Sequence, residues 1–429
     1  MTVDAAKPSV FDAGLPTLRY DVTDTPQEIY PQFRAAQQAA PIALGPIGPE
    51  VLSYELARTV LRDPRFVVPK GIHLSAHGIT SGPLWDRVTR SILNMEGDEH
   101  RRLRSLVSRA FTPRATARMH DTIHTVVNEL IDRVADAGGC EFVADIARPY
   151  PIPVICALLG APREDWRQFS RWAEDIFKIV SFDCNLAEEE PVVLKAWDEF
   201  DGYIDEMVAA RRQSLTDDLL SELIRIEDAG ERLDTGELRM LAFSILVAGT
   251  DTTRSQLGAS MQVLCDHPEQ WSLLRAQPDL AMRAVEETMR HSPSMCSTVR
   301  SVTEDVVVDD YTFPADTFII VNTYAANRDS AIYDDPTRFD ITRDEPPPIL
   351  TFGGGVHYCL GANLARLELA EALKILSQRL PNPHRIESVP WKPLLGLSGP
   401  TSLPIEFDIA REPQCYTMDT YDAIEPQED

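Results

Sequence analysis

The longest run of helical periodicity in the chain covers residues 235–265, where apolar side chains recur at the spacing of a helix face. Asp234 and Glu237 stand at its start in the arrangement of a helix capping box. A continuous helix over this segment would be about 45 Å long, at roughly 1.5 Å per residue. Such a helix can cross a whole protein of this size, so the chain is expected to be built around it and to be mainly helical.

Other periodic segments complete the predicted architecture. Further helices are predicted at residues 28–39, 99–111, 113–137, 166–179, 193–213, 281–290 and 362–378. Strand-like segments are short and lie at residues 42–54, 306–322 and 402–407. The expected fold class is therefore mainly α with small β-sheets. Residues 1–410 are expected to form one domain, because no repeat or low-complexity linker interrupts them.

Charge and composition exclude several classes of protein. Of 429 residues, 67 are acidic and 41 are Lys or Arg, a formal charge of −26 that would repel a nucleic-acid backbone. No apolar run approaches the roughly 18 residues of a membrane span, and the first residues do not resemble a signal peptide. A cytoplasmic protein without a membrane span is expected. Residues 411–429 carry six acidic side chains and one Arg, which predicts a solvated, mobile tail.

One cysteine stands in an unusual loop. The chain has seven cysteines, an odd number at wide spacings, which argues against a disulfide framework or a structural zinc site. Cys359 follows three consecutive glycines, 353–355, and precedes the predicted helix 362–378. Glycines let a backbone approach a flat cofactor closely, and a helix N-terminus stabilises a thiolate. This pattern predicts a metal-binding thiolate, with an inert buried thiol beside a simple turn as the alternative.

The long predicted helix changes character in its middle. At residues 249–253 the apolar run gives way to a glycine, three threonines and an aspartate, which are poor helix formers. The Thr252 hydroxyl could bond the carbonyl of Ala248, bend the helix and open a small polar groove. The alternative is a helix end, at which Thr and Asp would cap a second helix.

The residues around Cys359 carry a family resemblance. The pattern Phe352-x-x-Gly355-x-His357-x-Cys359-x-Gly361 resembles the haem-binding motif of the cytochrome P-450 superfamily and of its bacterial members in particular. The resemblance implies haem b, iron protoporphyrin IX, between the long central helix and the helix after the cysteine loop. It implies Cys359 as the axial thiolate of the iron, which favours O–O cleavage. Phe352 would shield the sulfur, and His357 would hydrogen-bond a haem propionate.

The segment 248–253 resembles the oxygen-binding motif of the same family. The resemblance assigns Thr252 to the oxygen-binding groove and Asp251 to the relay of protons from solvent. A pocket that is otherwise dry needs such a proton source. The residues expected to lie against the haem are Ala248, Gly249 and Gly361.

Three cations and one ion pair also match the family. His100 and Arg104, one turn apart on a helix, would bind a haem propionate, and so would Arg300; without the cysteine loop each would be a solvated cation. Glu287 and Arg290 by themselves predict an exposed salt bridge. The resemblance makes them the family's Glu-x-x-Arg pair, which holds its helix against the segment before the cysteine loop.

Together these motifs imply a monooxygenase that hydroxylates or epoxidises a small to medium apolar molecule, such as a terpenoid, steroid, fatty-acyl or aromatic compound. Electrons would come from NAD(P)H through a reductase and a separate iron-sulfur ferredoxin. That ferredoxin is expected to bind the arginine-rich face from His100 to Arg118. The substrate pocket is expected to include Phe243, Val247, Ala248, Met295, Val299 and Leu397.

Two alternatives stay open from the sequence. The first is a haem-thiolate enzyme that uses peroxide, or that rearranges its substrate without O2, although such relatives commonly lack the Asp-Thr pair. The second is a haem-based sensor or ligand carrier. Turnover with a reductant and an apolar substrate distinguishes these three functions.

Overall fold

The structure, a computed structural model, describes residues 7–21, 23–180, 184–228 and 233–409. The predicted acidic tail, 411–429, lies outside the described residues. The mainly helical fold class with small sheets is confirmed. The single domain over 1–410 stays a prediction.

The described residues form sixteen α-helices, joined in places by short 3₁₀ turns. The helices are α1 Pro26–Ala39, α2 Tyr54–Val60, α3 Ile72–Ala76, α4 Pro83–Val88, α5 Gly97–Ser108, α6 Pro113–Thr116, α7 His120–Asp132, α8 Pro151–Leu159, α9 Trp166–Phe177, α10 Leu186–Gln213, α11 Leu219–Asp228, α12 Thr235–Asp266, α13 Pro268–Ala276, α14 Ala281–His291, α15 Thr323–Ala326 and α16 Ala362–Arg379.

The strands are short and form three small sheets within the same residues. They are β1 Ile42–Leu44, β2 Pro49–Val51, β3 Phe66–Val67, β4 Gly139–Glu141, β5 Thr298–Val302, β6 Val306–Val308, β7 Tyr311–Phe313, β8 Phe318–Val321, β9 His384–Arg385 and β10 Pro404–Glu406. The largest sheet has the order β1-β2-β8-β5-β3, the second β4-β10-β9, and β6 and β7 form a hairpin. β2 and β8 are parallel, whereas β5 is antiparallel to both β3 and β8.

Helix α12 is continuous from end to end, so the alternative of a helix end at residues 249–253 is wrong. Its start is a reciprocal capping box: the Glu237 amide donates to Asp234 Oδ1 at 2.8 Å, and the Asp234 amide donates to Glu237 Oε2 at 3.1 Å. The helix packs against α8, α9, α10, α14 and α16. Because it is surrounded, most of its side chains are buried, and it forms the centre of the molecule.

Several elements differ from the sequence prediction. The predicted helix 113–137 is divided into α6 and α7 by a 3₁₀ turn at Ala117–Met119. Helix α8 was not predicted, because its sequence is almost wholly apolar and therefore has no amphipathic period. Strand β5 was also not predicted, since Arg300 and Ser301 interrupt its apolar residues. Residues 42–54 form two strands and the first residue of α2.

The core consists mainly of helix-to-helix contacts. The largest cluster of buried apolar side chains includes Leu130 of α7, Leu159 of α8, Leu257 of α12 and Leu373 of α16. A separate cluster covers the five-stranded sheet, with Val302 and Val321 at its centre. No helix in the described part of the chain is both long enough and apolar enough to cross a membrane.

Candidate active site

A cavity of about 420 Å³ lies between α12 and the segment that leads into α16. Helix α12 supplies one wall, and residues 350–361 with the first turns of α16 supply another. Helix α5, helix α3 through His73, and strand β5 contribute polar side chains, whereas Val68 and the turn at Ile92 and Leu93 contribute apolar surface. The cavity thus brings together most of the residues that the sequence selected from distant parts of the chain.

Cys359 lies on the cavity wall, three residues before α16 begins. Its amide donates to the Phe352 carbonyl at 2.9 Å, which closes the loop on itself. The side chain is exposed, and the surface that it is exposed to is the cavity. Burial within the protein raises the pKa of the thiol, but the Gly361 amide and the guanidinium groups of Arg104 and Arg366 oppose that rise. These three groups stabilise the thiolate form.

Two of the three glycines before Cys359 pack against the protein and do not line the cavity. Gly355 has a φ of 63°, and a Cβ on it would collide with the carbonyl of Leu61 at the end of α2. A Cβ on Gly354 would lie 3.0 Å from the Leu61 side chain. These two glycines therefore let the loop pack against the protein, whereas Gly353 and Gly361 line the cavity.

A cationic and imidazole rim surrounds one side of the cavity. His100, Arg104, Arg300 and His357 all line it. The rings of His100 and His357 are 4.4 Å apart. Arg104 donates to the carbonyl of Tyr358 beside the cysteine, and Arg300 donates to the Val299 carbonyl at 2.8 Å. Four donors from three separate segments thus converge on one end of the cavity.

Glu96 is the carboxylate of this rim, and no motif pointed to it. Its Oε1 accepts from His357 Nε2 at 2.9 Å and from the Val68 amide at 2.7 Å. Partial burial favours the neutral acid, but these hydrogen bonds outweigh it and lower the pKa of Glu96. Glu96 therefore connects the cysteine loop with the start of the segment that leads to α3.

His100 has unused hydrogen-bonding capacity. The side chain is 1% exposed, and its Nδ1 has no hydrogen-bond partner among the described residues. Burial, aided by His357 and Arg104, lowers the pKa of His100 to about 4, so the ring is neutral near pH 7. A buried ring nitrogen without a partner is costly unless a ligand satisfies it.

These residues fit a haem group. A single thiol at a loop beside a helix start is the ligand type of haem-thiolate proteins. Two arginines, one histidine hydrogen-bonded to Glu96 and one histidine with an unsatisfied nitrogen suit the two propionates of that cofactor. The phenyl ring of Phe352, on the same wall as Cys359, is stacked under Arg366 at 4.4 Å.

The stretch of α12 from Ala248 to Thr252, which we call the Thr252 groove, has the internal hydrogen bond that its sequence predicts. Thr252 Oγ1 donates to the Ala248 carbonyl at 2.7 Å. Ala248, Gly249 and Thr252 all line the cavity. A Cβ on Gly249 would collide with Ile155, so this glycine also allows α8 to pack closely against α12.

Asp251 lies behind the cavity wall and is 1% exposed. Its carboxylate is paired with Arg254 of the same helix. Burial raises the pKa of Asp251, and the charges of Arg254 and Lys392 partly oppose that rise. The acid is therefore next to the groove in the chain, but in this structure its side chain is held by a neighbouring cation.

Glu368 of α16 is a further acid on the wall, and no sequence motif identified it. The side chain is 1% exposed, and burial raises its pKa to about 8, opposed by a hydrogen bond with the Thr253 side chain. Its Oε1 has no partner within the described chain. Glu368 connects α16 with Thr253 of α12, and these two helices are far apart in the sequence. No sequence motif could therefore identify it.

Only part of the expected substrate pocket lies on the cavity wall. Met295 and Ala248 line it, whereas Phe243, Val247, Val299 and Leu397 are not among the described residues that do. Phe243 is buried in the helical core and stacks on Trp197 of α10, with ring centroids 3.6 Å apart. The apolar wall is formed instead by side chains from several segments, among them Val68, Ile92, Leu93, Leu241 and Ile245.

The other three residues are displaced for identifiable reasons. Leu397 is bridged to Met295 through the backbone and lies behind it. Val299 alternates with Thr298 and Arg300 along β5, so its side chain points to the other face of the sheet. Val247 packs against the helical core.

The Glu287 and Arg290 pair is buried, which overturns the exposed salt bridge that its spacing alone predicts. Arg290 Nε donates to Glu287 Oε2 at 2.7 Å, and Arg290 Nη2 donates to Oε1 at 2.9 Å. Arg290 also donates to the carbonyls of Pro336 and Arg338, at 2.8 and 2.9 Å. The pair thus ties α14 to the segment before the cysteine loop.

The arginine-rich face is smaller than the sequence suggests. Arg101, Arg102 and Arg118 are paired with the carboxylates of Asp98, Glu237 and Asp217 respectively. Arg104 turns toward the cavity and the Tyr358 carbonyl. Arg109 and Arg114 are exposed, and neither has an ion-pair partner in the described ranges.

Comparison with known proteins agrees with this geometry. The family model for cytochrome P-450 matches residues 53–380. Luteothin monooxygenase of Streptomyces thioluteus is 35% identical over 384 residues, which cover 89% of this chain and 93% of the relative. Mycinamicin IV hydroxylase/epoxidase of Micromonospora griseorubida is 36% identical over 363 residues, covering 83% and 88%. The crystal structure of CalO2 superposes with a TM-score of 0.84 at 32% identity, covering 91% of this chain and 99% of that one. The chain therefore belongs to the cytochrome P-450 family, whose cofactor is haem, and it is a P-450 monooxygenase.

Proposed function

We propose that this monooxygenase binds haem b through Cys359 and inserts one oxygen atom from O2 into an apolar organic substrate held beneath α12. The observation that supports this most strongly is that Cys359 and the Thr252 groove face the same cavity. The propionate contacts would come from His100, Arg104, Arg300 and His357. Phe352, Ala248, Gly249 and Gly361 would lie against the cofactor.

Haem with a thiolate ligand supplies the activation of O2 when it is bound. The chain's own contribution on the cysteine side is to favour negative charge on the sulfur of Cys359, against the burial that raises the pKa of its thiol. The Gly361 amide and the cations Arg104 and Arg366 do this by stabilising negative charge on Sγ. Glu286 holds Arg366 in place through a contact of 2.5 Å from Arg366 Nε to Glu286 Oε1.

On the α12 side, the chain supplies protons. The Thr252 hydroxyl donates to the Ala248 carbonyl, which leaves its oxygen lone pairs free to accept a proton donor in the groove. Burial raises the pKa of Asp251, so its carboxyl holds a proton more readily than an exposed carboxyl does. Release of its carboxylate from Arg254 would let Asp251 deliver protons from solvent to the groove.

The proposed substrate is a small to medium apolar molecule of the terpenoid, steroid, fatty-acyl or aromatic kind, which is hydroxylated or epoxidised. The apolar walls from Val68, Ile92, Leu241, Ile245 and Met295 support this class. The names of two relatives, a luteothin monooxygenase and a mycinamicin IV hydroxylase/epoxidase, refer to oxidation of organic molecules.

The electrons are proposed to come from NAD(P)H through a reductase and an iron-sulfur ferredoxin. Arg109 and Arg114 are the exposed, unpaired cations of the described stretch from His100 to Arg118, and they would attract an acidic ferredoxin. A cytoplasmic location is part of the same proposal, since the ferredoxin and NAD(P)H would be supplied there.

Turnover with isotope-labelled O2 tests the proposal. The holoprotein is first screened against a library of apolar compounds by binding difference spectra. The compound with the largest shift is then incubated with NADPH, ferredoxin, ferredoxin reductase and labelled O2. One labelled oxygen atom per product molecule is expected. Product formed only with added hydrogen peroxide, or product without label, would contradict it.

A further inference from the structure

Gln256 of α12 stands one helical turn beyond Thr252 and lines the same cavity. The side chain is 1% exposed, so its amide has to be satisfied inside the protein. Both ends of the amide are used. Its Oε1 accepts from the Ser294 amide at 2.8 Å, and its Nε2 donates to the Ser292 carbonyl at 3.1 Å and to Ser260 Oγ at 3.3 Å.

The backbone groups that Gln256 holds belong to the turn between α14 and β5. This turn is followed at once by Met295, Ser297 and Thr298, which line the cavity. The Met295 carbonyl also accepts from Thr323 Oγ1 at 3.1 Å. The position of this stretch of cavity wall is therefore fixed on one side by α12 and on the other by α15.

A second segment is attached through the first. The Ser398 amide donates to the Ser294 carbonyl at 2.8 Å, and Met295 and Leu397 form a backbone bridge. Ser294 thus donates from its amide to Gln256 and accepts at its carbonyl from Ser398. One glutamine side chain therefore sets the distance from α12 to the cavity wall at Met295 and, through it, to the segment behind that wall.

Residues one turn apart on a helix lie on the same face, so Gln256 and Thr252 are fixed relative to each other. We propose that Gln256 is a positioning residue. It holds the cavity wall at Met295 in a fixed position relative to the Thr252 groove and so determines how a molecule in the cavity is oriented. The inference rests on the proposed oxygen-inserting function. A glutamine is suited to the task because one side chain both donates to Ser292 and accepts from Ser294.

The chain offers a matched control for this role. Gln262 also belongs to α12 and also holds a distant segment, since it accepts from Trp391 Nε1 at 2.5 Å. It is not among the described residues that line the cavity. A variant at Gln262 therefore loses a comparable hydrogen bond from the same helix without altering the cavity wall.

The test compares Gln256→Met, Gln256→Glu and Gln262→Met as holoproteins. Amide hydrogen exchange is measured on peptides that cover residues 292–299 and 394–399. Gln256→Met loses the hydrogen bonds to Ser292 and Ser294. Exchange in both peptides should therefore be faster by about 3- to 10-fold. Gln256→Glu keeps the acceptor for the Ser294 amide and should restore protection there. Gln262→Met should leave peptide 292–299 unchanged, because Gln262 holds Trp391, whose backbone is bridged to Pro400.

Binding of two azoles to the haem reports on the cavity. Imidazole needs little space, whereas 4-phenylimidazole also needs the wall to accommodate a phenyl group. The affinity of Gln256→Met for 4-phenylimidazole should change by about 3- to 10-fold, with imidazole affinity changed by less than about 2-fold. The Gln262→Met affinities for both azoles should match those of the wild type.

Unchanged exchange in both peptides, or equal effects of Gln256→Met and Gln262→Met on peptide 292–299, would overturn the inference. If Gln256→Met fails to bind haem, Gln256→Asn is measured in its place and should give the same changes in exchange and azole binding. Its shorter side chain cannot reach Ser292 and Ser294 together. Failure of the proposed function is a separate result. It would appear as a wild-type protein without a thiolate-type carbon monoxide spectrum, whereas the exchange comparison is made between variants.

Discussion

The two sides of the cavity are held in different ways. On the cysteine side, charged groups with several partners fix the chain: Arg290 pairs with Glu287, and Arg366 pairs with Glu286 at 2.5 Å. On the substrate side, neutral hydrogen bonds such as those of Gln256 and apolar packing at Met295 do so. A buried ion pair is strongly destabilising to break, whereas a neutral hydrogen bond contributes about 1 kcal/mol. Changes on the side with the reactive sulfur should thus cost more stability than changes on the side that selects the substrate.

The largest effect is expected where the cysteine side is broken. Arg290→Met leaves Glu287 buried with only Arg343 as an ion-pair partner among the described residues, at 3.0 Å. The free energy of unfolding should fall by about 3–5 kcal/mol, measured by urea unfolding. Arg338→Met, which removes an exposed partner of Asp340, should cost less than about 1 kcal/mol. Equal losses of unfolding free energy in Arg290→Met and Arg338→Met would contradict the distinction between the buried and the exposed ion pair.

The next effect concerns the groove in α12. Thr252→Ala removes the hydroxyl that the proposal gives to proton delivery, so product per NADPH should fall about tenfold or more while hydrogen peroxide rises. Substrate binding and the first reduction need no such proton and should be unchanged. Asp251→Asn should slow the whole cycle. Thr250→Ala is the control, since Thr250 is buried in the same helix and does not line the cavity. If Thr252→Ala forms as much product per NADPH as the wild type, Thr252 has no part in proton delivery and the motif is only a structural kink.

Glu368 gives the α12 and α16 contact a pH dependence. Its pKa is raised from 4.5 to about 8 by burial, so the folded state binds the proton more tightly than the unfolded state does. The free energy of unfolding should therefore fall as pH rises from about 4.5 through about 8, by at most about 1.4 kcal/mol per pH unit. Glu368→Gln removes that fall. The check is urea unfolding of both proteins at several pH values, and parallel pH profiles would count against the assignment.

The smallest effect is expected at the outer surface of the cysteine side. Arg109→Glu and Arg114→Glu should each slow reduction by an acidic ferredoxin about 2- to 10-fold at low salt, and the rates should converge at high salt. Arg101→Glu, at a site already paired with Asp98, should have less effect. Stopped-flow reduction at several ionic strengths measures this. Rates that are the same in all variants would show that these cations do not guide the partner.

The cysteine side of the cavity and the substrate side also differ in how much of each could be predicted from the sequence. The cysteine loop has its chemistry within about ten consecutive residues, and α12 has its capping box and Thr252 bond within single helical turns. Local spacing therefore identified both segments, and the family resemblance decided between the alternatives that the spacing left open. Phe243 was assigned to the wrong side because α12 is apolar around most of its circumference, and its sequence does not specify which face meets the cavity. Glu368 and Gln256 act through contacts between segments far apart in the chain, for which one sequence holds no signal.

The most direct test of the account is the carbon monoxide difference spectrum of the reduced protein, recorded for the wild type and for Cys359→Ser. The wild type should bind haem and give the thiolate-type spectrum. Cys359→Ser should bind no haem, or bind haem without that spectrum, because no other cysteine in the described residues lines the cavity. An unchanged thiolate-type spectrum in Cys359→Ser would contradict the assignment of the iron ligand and the mechanism built on it.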